Sequence, residues 1–149
     1  METRAHLRVA VQRAFRAPQE RVFDAWLDPA LARRFLFHVP DGEVVQAETD
    51  PREGGAFRIV DRRQGKDVDH QGIWLVIDRP RRLVFEFTAE GGPRSRVEID
   101  FAAPDTGGSL VTLTHELHPD WADFAQKDEE GWRTILNGLA AALGEEKAG

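Results

Sequence analysis

Cysteine is absent from the 149 residues. That excludes a disulfide framework, a thiolate metal site, an iron–sulfur cluster and a cysteine nucleophile, and it says nothing about redox compartment. No apolar run approaches the roughly 18–20 residues of a membrane span, and the amino end METRAHLRVAVQR lacks the pattern of a signal peptide. Basic charge is outnumbered: 20 Lys+Arg against 26 Asp+Glu give a net charge of −6, which argues against non-specific binding to nucleic acid or to an anionic membrane. Serine occurs only at Ser95 and Ser109, at expected strand starts and outside any G-x-S-x-G turn, so nucleophilic catalysis finds no motif. A P-loop and a dinucleotide fingerprint are missing too. What is present is 41% hydrophobic and 31% charged, too apolar for disorder. A chain of this length can bury about 70% of its unfolded surface without a staple. The expectation is one cytoplasmic domain over residues 1–149, with no cofactor.

The amino end reads as a strand, with large apolar residues at every second position from Leu7 to Phe15. Ala17-Pro18 stops it. A short helix is expected over 18–27, where Val22, Phe23, Trp26 and Leu27 form one stripe, and a second over 29–36 from an Asp28 cap. From about residue 42 the period becomes two. Six further strands are expected at 43–49, 55–62, 67–78, 82–89, 95–103 and 109–117, separated by short Gly- and Pro-rich turns that favour an antiparallel meander. From Asp120 the chain reads as helix, with Trp132, Ile135, Leu136, Leu139, Ala142 and Leu143 on one face. Asp128-Glu129-Glu130 provides an acidic first turn, and Gly131 and Gly138 suggest close packing against a neighbour. The order predicts an α+β domain: seven antiparallel strands, two short helices after the first, and a long terminal helix across one face of the sheet.

Strand parity sorts the sheet into two faces. Arg58, Glu86, Arg96, Glu98, Asp100, Thr112, Thr114 and Glu116 share the solvated one, where opposite charges can pair across strands. Phe57, Ile59, Phe85, Phe87, Ile99, Phe101, Leu113 and His115 share the other. With Phe35, Phe37, Trp74, Trp132 and Ile135 they form either a solid core or the wall of an apolar pocket between sheet and helix. His115 is the polar member near the centre of that face, open to a structural, ligand-orienting or acid–base role. Arg13 has the parity to reach a cavity rim or to snorkel to the surface, and Asp61 is a further polar group near that space. His115 and His118 point to opposite sides of a strand and cannot share an ion, so no metal site is expected. The arginines at 62, 63, 79, 81, 82, 94 and 96 read as a solvated rim rather than a nucleic-acid patch.

Three segments carry a resemblance. Ala17-Pro18-Gln19-Glu20-Arg21-Val22-Phe23-Asp24-Ala25-Trp26-Leu27-Asp28-Pro29, the stretch from Gly72 to Phe85 with Arg79-Pro80, and Leu113-Thr114-His115-Glu116 followed by Gly131-Trp132 are similar to the ordered motifs of one family. That family is named for the activator of the 90-kDa heat-shock-protein ATPase, within the SRPBCC or START-like superfamily. The match spans about residues 8 to 145. Arg79 replaces the first of two prolines, and Phe35 stands where tryptophan is common. The resemblance implies a helix-grip (START-like or Bet v-like) fold, a curved seven-stranded sheet around the long helix with a hydrophobic cavity between them. It does not fix function. The first expectation is a binding domain for a hydrophobic small molecule, without catalytic residues. The alternatives are a chaperone-interacting ATPase activator and a polyketide-cyclase-like enzyme. The activator carries an extra amino-terminal domain that this chain lacks, which disfavours that role, and other partners are a second protein or a homodimer.

Overall fold

The computed structural model describes residues 7–117 and 119–145. Its strands are β1 (Leu7–Phe15), β2 (Glu43–Thr49), β3 (Ala56–Arg63), β4 (Lys66–Asp78), β5 (Arg82–Ala89), β6 (Ser95–Ala102) and β7 (Ser109–Leu117). They form one antiparallel sheet in the order β1-β7-β6-β5-β4-β3-β2. Consecutive strands from β2 to β7 lie side by side because their turns are too short for anything else. Pairing of β1 with β7 then places the two ends of the alternation next to each other, Val9 opposite His115 and Val11 opposite Leu113. Register shifts at Val44/Gln46 in β2 and Trp74/Val76 in β4 bend the sheet, as an extra residue in one strand does.

Two short helices, α1 (Gln19–Ala25) and α2 (Pro29–Ala32), follow β1. Asp28 caps α2 as expected, its Oδ1 accepting from the Ala30 N–H at 2.9 Å. The second helix is shorter than its apolar pattern suggests, since residues 33–37 are turns that end with Phe37 at φ 54°. A left-handed conformation is costly for a bulky residue, so the surroundings must hold it there. The terminal helix also begins late. Pro119–Phe124 is a 3₁₀ segment broken at Trp121 (φ −101°, ψ 17°), and α3 runs Ala125–Ala142.

The face of α3 carrying Trp132, Ile135, Leu136, Leu139, Ala140 and Ala142 is buried. The opposite face of the sheet carries the expected cross-strand ion pairs: Arg58 holds Asp69 through two bonds of 3.0 and 2.8 Å, and Arg82 reaches Glu98 at 2.8 Å. The two helix glycines differ. A Cβ at Gly138 would sit 3.2 Å from the Phe35 Cβ, the close packing expected there, whereas one at Gly131 would meet nothing within 4 Å. Gly131 faces open space because the sheet and helix part at that end.

Candidate functional site

Sheet and helix close on each other over most of their length and separate at the amino-terminal end of α3. There they leave a cavity of about 370 Å³, open to solvent on one side. That volume lies in the range of small-molecule sites. Its walls come from the end of β3, the start of β4, the ends of β5 and β7, the start of β6, the 3₁₀ segment and the first turns of α3. Trp121 and Phe124 stand at the mouth as an edge-to-face pair, centroids 5.7 Å apart, each 42% exposed. A single exposed apolar side chain is ordinary, but two packed side by side at the lip of a pocket make a contiguous apolar patch of the kind found at binding grooves.

Of the residues that parity and resemblance point to, Phe37, Phe87, His115, Trp132 and Ile135 line this cavity together. The others do not reach it, because the far end of the layer is filled. Phe85 is fully buried among Phe57, Trp74 and Phe87 at centroid distances of 5.3, 5.4 and 5.9 Å. Phe35 packs edge-on against Trp26 at 5.1 Å, and Phe101 against Phe23 at 5.1 Å. Ile99 and Leu113 face each other across β6 and β7 with no exposure. Phe57, Ile59 and Trp74 border only a second void of about 10 Å³, room for one water at most. Parity names the face; it does not say how far along the strands the face opens. Arg13 is not at the rim either. It donates to the Asn137 Oδ1 at 2.8 Å and lies 5.0 Å over the Phe15 ring.

One end of the cavity is built on Asp61. This fully buried carboxylate accepts from Arg63 Nε at 2.8 Å and from the Val39 N–H at 3.2 Å, and it meets His38 Nδ1 at 2.9 Å. Burial acts to raise its pKa, but the hydrogen bonds from Arg63, His38 and Val39 outweigh it and hold the group below the ordinary value. Arg63 also donates to the Phe37 carbonyl at 3.2 Å. These bonds pin residues 37–39 and supply the force that keeps Phe37 in its left-handed conformation. The Phe37 ring then stacks on His70, centroids 4.3 Å apart and planes 5° from parallel.

His70 is 6% exposed, and Nδ1 has no hydrogen-bond partner. Burial, with the Arg63 charge adding to it, pushes its pKa down to about 4, while a hydrogen bond to the Ile59 backbone acts the other way. The ring is therefore neutral at pH 7. With the other nitrogen engaged by Ile59, Nδ1 carries a lone pair and can only accept. That buried, unpaired acceptor costs stability, which the stack on Phe37 helps to offset.

His115 lies at the other end and is differently occupied. Its Nδ1 is 2.8 Å from Asp128 Oδ2, its Nε2 2.8 Å from Ser95 Oγ, and the Trp132 indole N–H is 3.0 Å from Nδ1. Both ring nitrogens are satisfied by the protein itself, so this histidine is not a group waiting for a ligand.

Several of these residues carried a signal that motif reading passes over. His70 shares the parity of Gly72 and Trp74, Ser95 that of Val97 and Ile99, and Asp128 stands at helical spacing from Trp132 and Ile135. Trp121 and Phe124 had none, since their placement depends on a 3₁₀ kink. No cluster of histidine and carboxylate side chains suited to a metal occurs among the described residues, and His118 lies outside them. No helix of the described residues is long and apolar enough to cross a membrane.

The family described as Activator of Hsp90 ATPase homolog 1-like protein matches residues 16–144. Among solved structures, a Chromobacterium violaceum protein superposes with a TM-score of 0.82 at 24% identity, covering 94% of this chain and 99% of its own. An AHSA1-like protein from Aeromonas hydrophila gives 0.78 at 22%, covering 96% and 98%. CalU16 from Micromonospora echinospora gives 0.70 at 25%, covering 93% of this chain and 76% of its own. No curated protein matches the chain.

Proposed function

This chain belongs to the family of Activator of Hsp90 ATPase homolog 1-like proteins, and we propose that it binds an apolar small molecule. The observation that carries the reading is the cavity of about 370 Å³, walled by Phe37, Phe87, Trp132 and Ile135. Burying a ligand's apolar surface there gains about 25 cal/mol per Å². Arg63, Arg94 and Lys127 also line the space and suit a molecule whose polar atoms are acceptors.

The test uses 8-anilinonaphthalene-1-sulfonate as an apolar probe with the native protein. Saturable binding near one per chain is expected. Gly131→Phe, which projects a ring into the open space beside α3, should weaken it at least tenfold while leaving the fold intact. A folded protein that binds the probe without saturation, or a plugged variant that binds it as well as the parent, defeats the reading.

A further inference from the structure

Ser95 opens β6 opposite Phe87, and it lines the cavity together with His115 and Asp128. Ser109, by contrast, is buried away from it with its hydroxyl spent on the Ala17 carbonyl at 3.0 Å. The His115 imidazole is 4% exposed and the Asp128 carboxylate 10%, so both sit largely out of water. Nδ1 of His115 faces two groups that make opposite demands. The carboxylate at 2.8 Å needs a proton on that nitrogen, and the indole N–H at 3.0 Å needs a lone pair. A hydrogen bond to an ionised acceptor is about twice as strong as one between neutral groups, so the carboxylate decides and Nδ1 carries the proton. Nε2 then holds the lone pair, and the Ser95 hydroxyl at 2.8 Å donates to it. The order hydroxyl, imidazole, carboxylate is that of an activated serine, reached here from three different elements, β6, β7 and α3.

We propose that Ser95 is a nucleophile, that His115 is its base, that Asp128 is the positioning residue that fixes the tautomer of His115, and that the site cleaves esters of apolar carboxylic acids. The substrate class rests on the binding reading above: the acyl chain lies among Phe37, Phe87 and Trp132. As Ser95 Oγ bonds to the carbonyl carbon, its proton passes to His115 Nε2. The bond from that carbon to the alkoxy oxygen then breaks, and Nε2 returns the proton to the departing alcohol. Water enters next. It gives a proton to Nε2 as its oxygen bonds to the acyl carbon, and Ser95 Oγ leaves with that proton. The sum is ester plus water to acid plus alcohol. Lys127, one residue before Asp128 on α3 and on the same cavity, offers an ammonium to the charge that develops on the carbonyl oxygen.

The experiment treats the purified full chain with p-nitrophenyl butyrate, following nitrophenolate, and with an alkyl fluorophosphonate, locating the phosphonyl group by peptide mass spectrometry. Probe binding by 8-anilinonaphthalene-1-sulfonate is measured on the same sample. Nitrophenolate release above buffer and modification of Ser95 are expected, with both lost in Ser95→Ala. Removing that hydroxyl unpairs a buried ring nitrogen, so Ser95→Cys is the second variant. It keeps a nucleophile on the same Cβ in a chain with no other cysteine, and should recover an acyl adduct at position 95. Asp128→Asn should slow release by about 10²-fold or more and shift the lower inflection of the pH–rate profile, which a purely structural carboxylate would leave in place. Saturable probe binding with no modification of Ser95 overturns the catalytic assignment and leaves the binding reading standing. Loss of both overturns both. Modification at any other residue, or undiminished release by Ser95→Ala, also overturns it.

Discussion

Lowering the pH should destabilise this protein through one residue before its carboxylates titrate. His70 has its pKa pushed from 6.5 to about 4 on folding, chiefly by burial. The folded state thus binds its proton less readily than the unfolded chain. Above pH 6.5 neither state holds the proton and the full stability is present. Between 6.5 and about 4 the unfolded chain takes it up and the folded protein resists, so stability falls; below about 4 the loss is complete. A displacement of about 2.5 pH units at about 1.36 kcal/mol each is worth about 3 kcal/mol. For a chain of this size that is a drop of roughly 10 °C in melting temperature. Asp61 works in a separate window. Its pKa is held below the ordinary 3.8, so its contribution is present above that value and is lost only at lower pH. The measurement is urea unfolding at pH 7.5, 5.5 and 4.5 for the parent and for His70→Phe, a ring of similar size that keeps the stack on Phe37. The variant should start lower, having lost the bond to the Ile59 backbone, and should then decline much less over the same interval. Parallel declines in the two proteins would refute the reasoning, and a His70 ring proton titrating near 6.5 by NMR would do so directly.

The helix glycines should respond in opposite ways to a methyl group: Gly131→Ala gains up to about 1 kcal/mol by chemical denaturation, while Gly138→Ala gains nothing because its Cβ would press on Phe35 at 3.2 Å. Phe101→Ala, cut from the filled end against Phe23, should cost about 3–5 kcal/mol with no selective effect on probe affinity. Phe124→Ala should do the reverse, leaving thermal stability nearly unchanged and weakening 8-anilinonaphthalene-1-sulfonate measurably in a fluorescence titration. Asp61→Ala strands Arg63 and frees residues 37–39, so it should lose about 3 kcal/mol in urea unfolding and also lower probe affinity, since the Phe37 wall is no longer fixed.

The alternation of apolar residues decided which side of each strand is inside, and the turns between Thr49 and Ser109 decided that neighbours in sequence are neighbours in the sheet. Both are local properties: a side-chain period of two and the short reach of a tight turn. The same is true of the α2 cap at Asp28 and of the buried stripe on α3. The limits of the elements were legible to within a residue or two for the strands and less well for the helices. The second helix stops at Ala32 because bonds to distant Arg63 and Asp61 hold residues 37–39 off the helical path, and no pattern within 29–36 records that.

The site was legible only as a face. His115 and Trp132 could be placed on it, but whether the layer between them is filled depends on how far the curved sheet stands from α3 at each level. That distance is set by the bulges at Val44 and Trp74 and by the close approach of Gly138 to Phe35. Ser95, His115 and Asp128 are each ordinary in sequence, separated by 20 and 13 positions. Their meeting is a product of three-dimensional register: β6 beside β7 puts the serine at the imidazole's Nε2, and the late start of α3 brings the carboxylate to Nδ1. Composition and periodicity fix what a residue prefers. Only the folded chain fixes what it touches, because hydrogen bonds are satisfied at about 3 Å in space and not along the sequence.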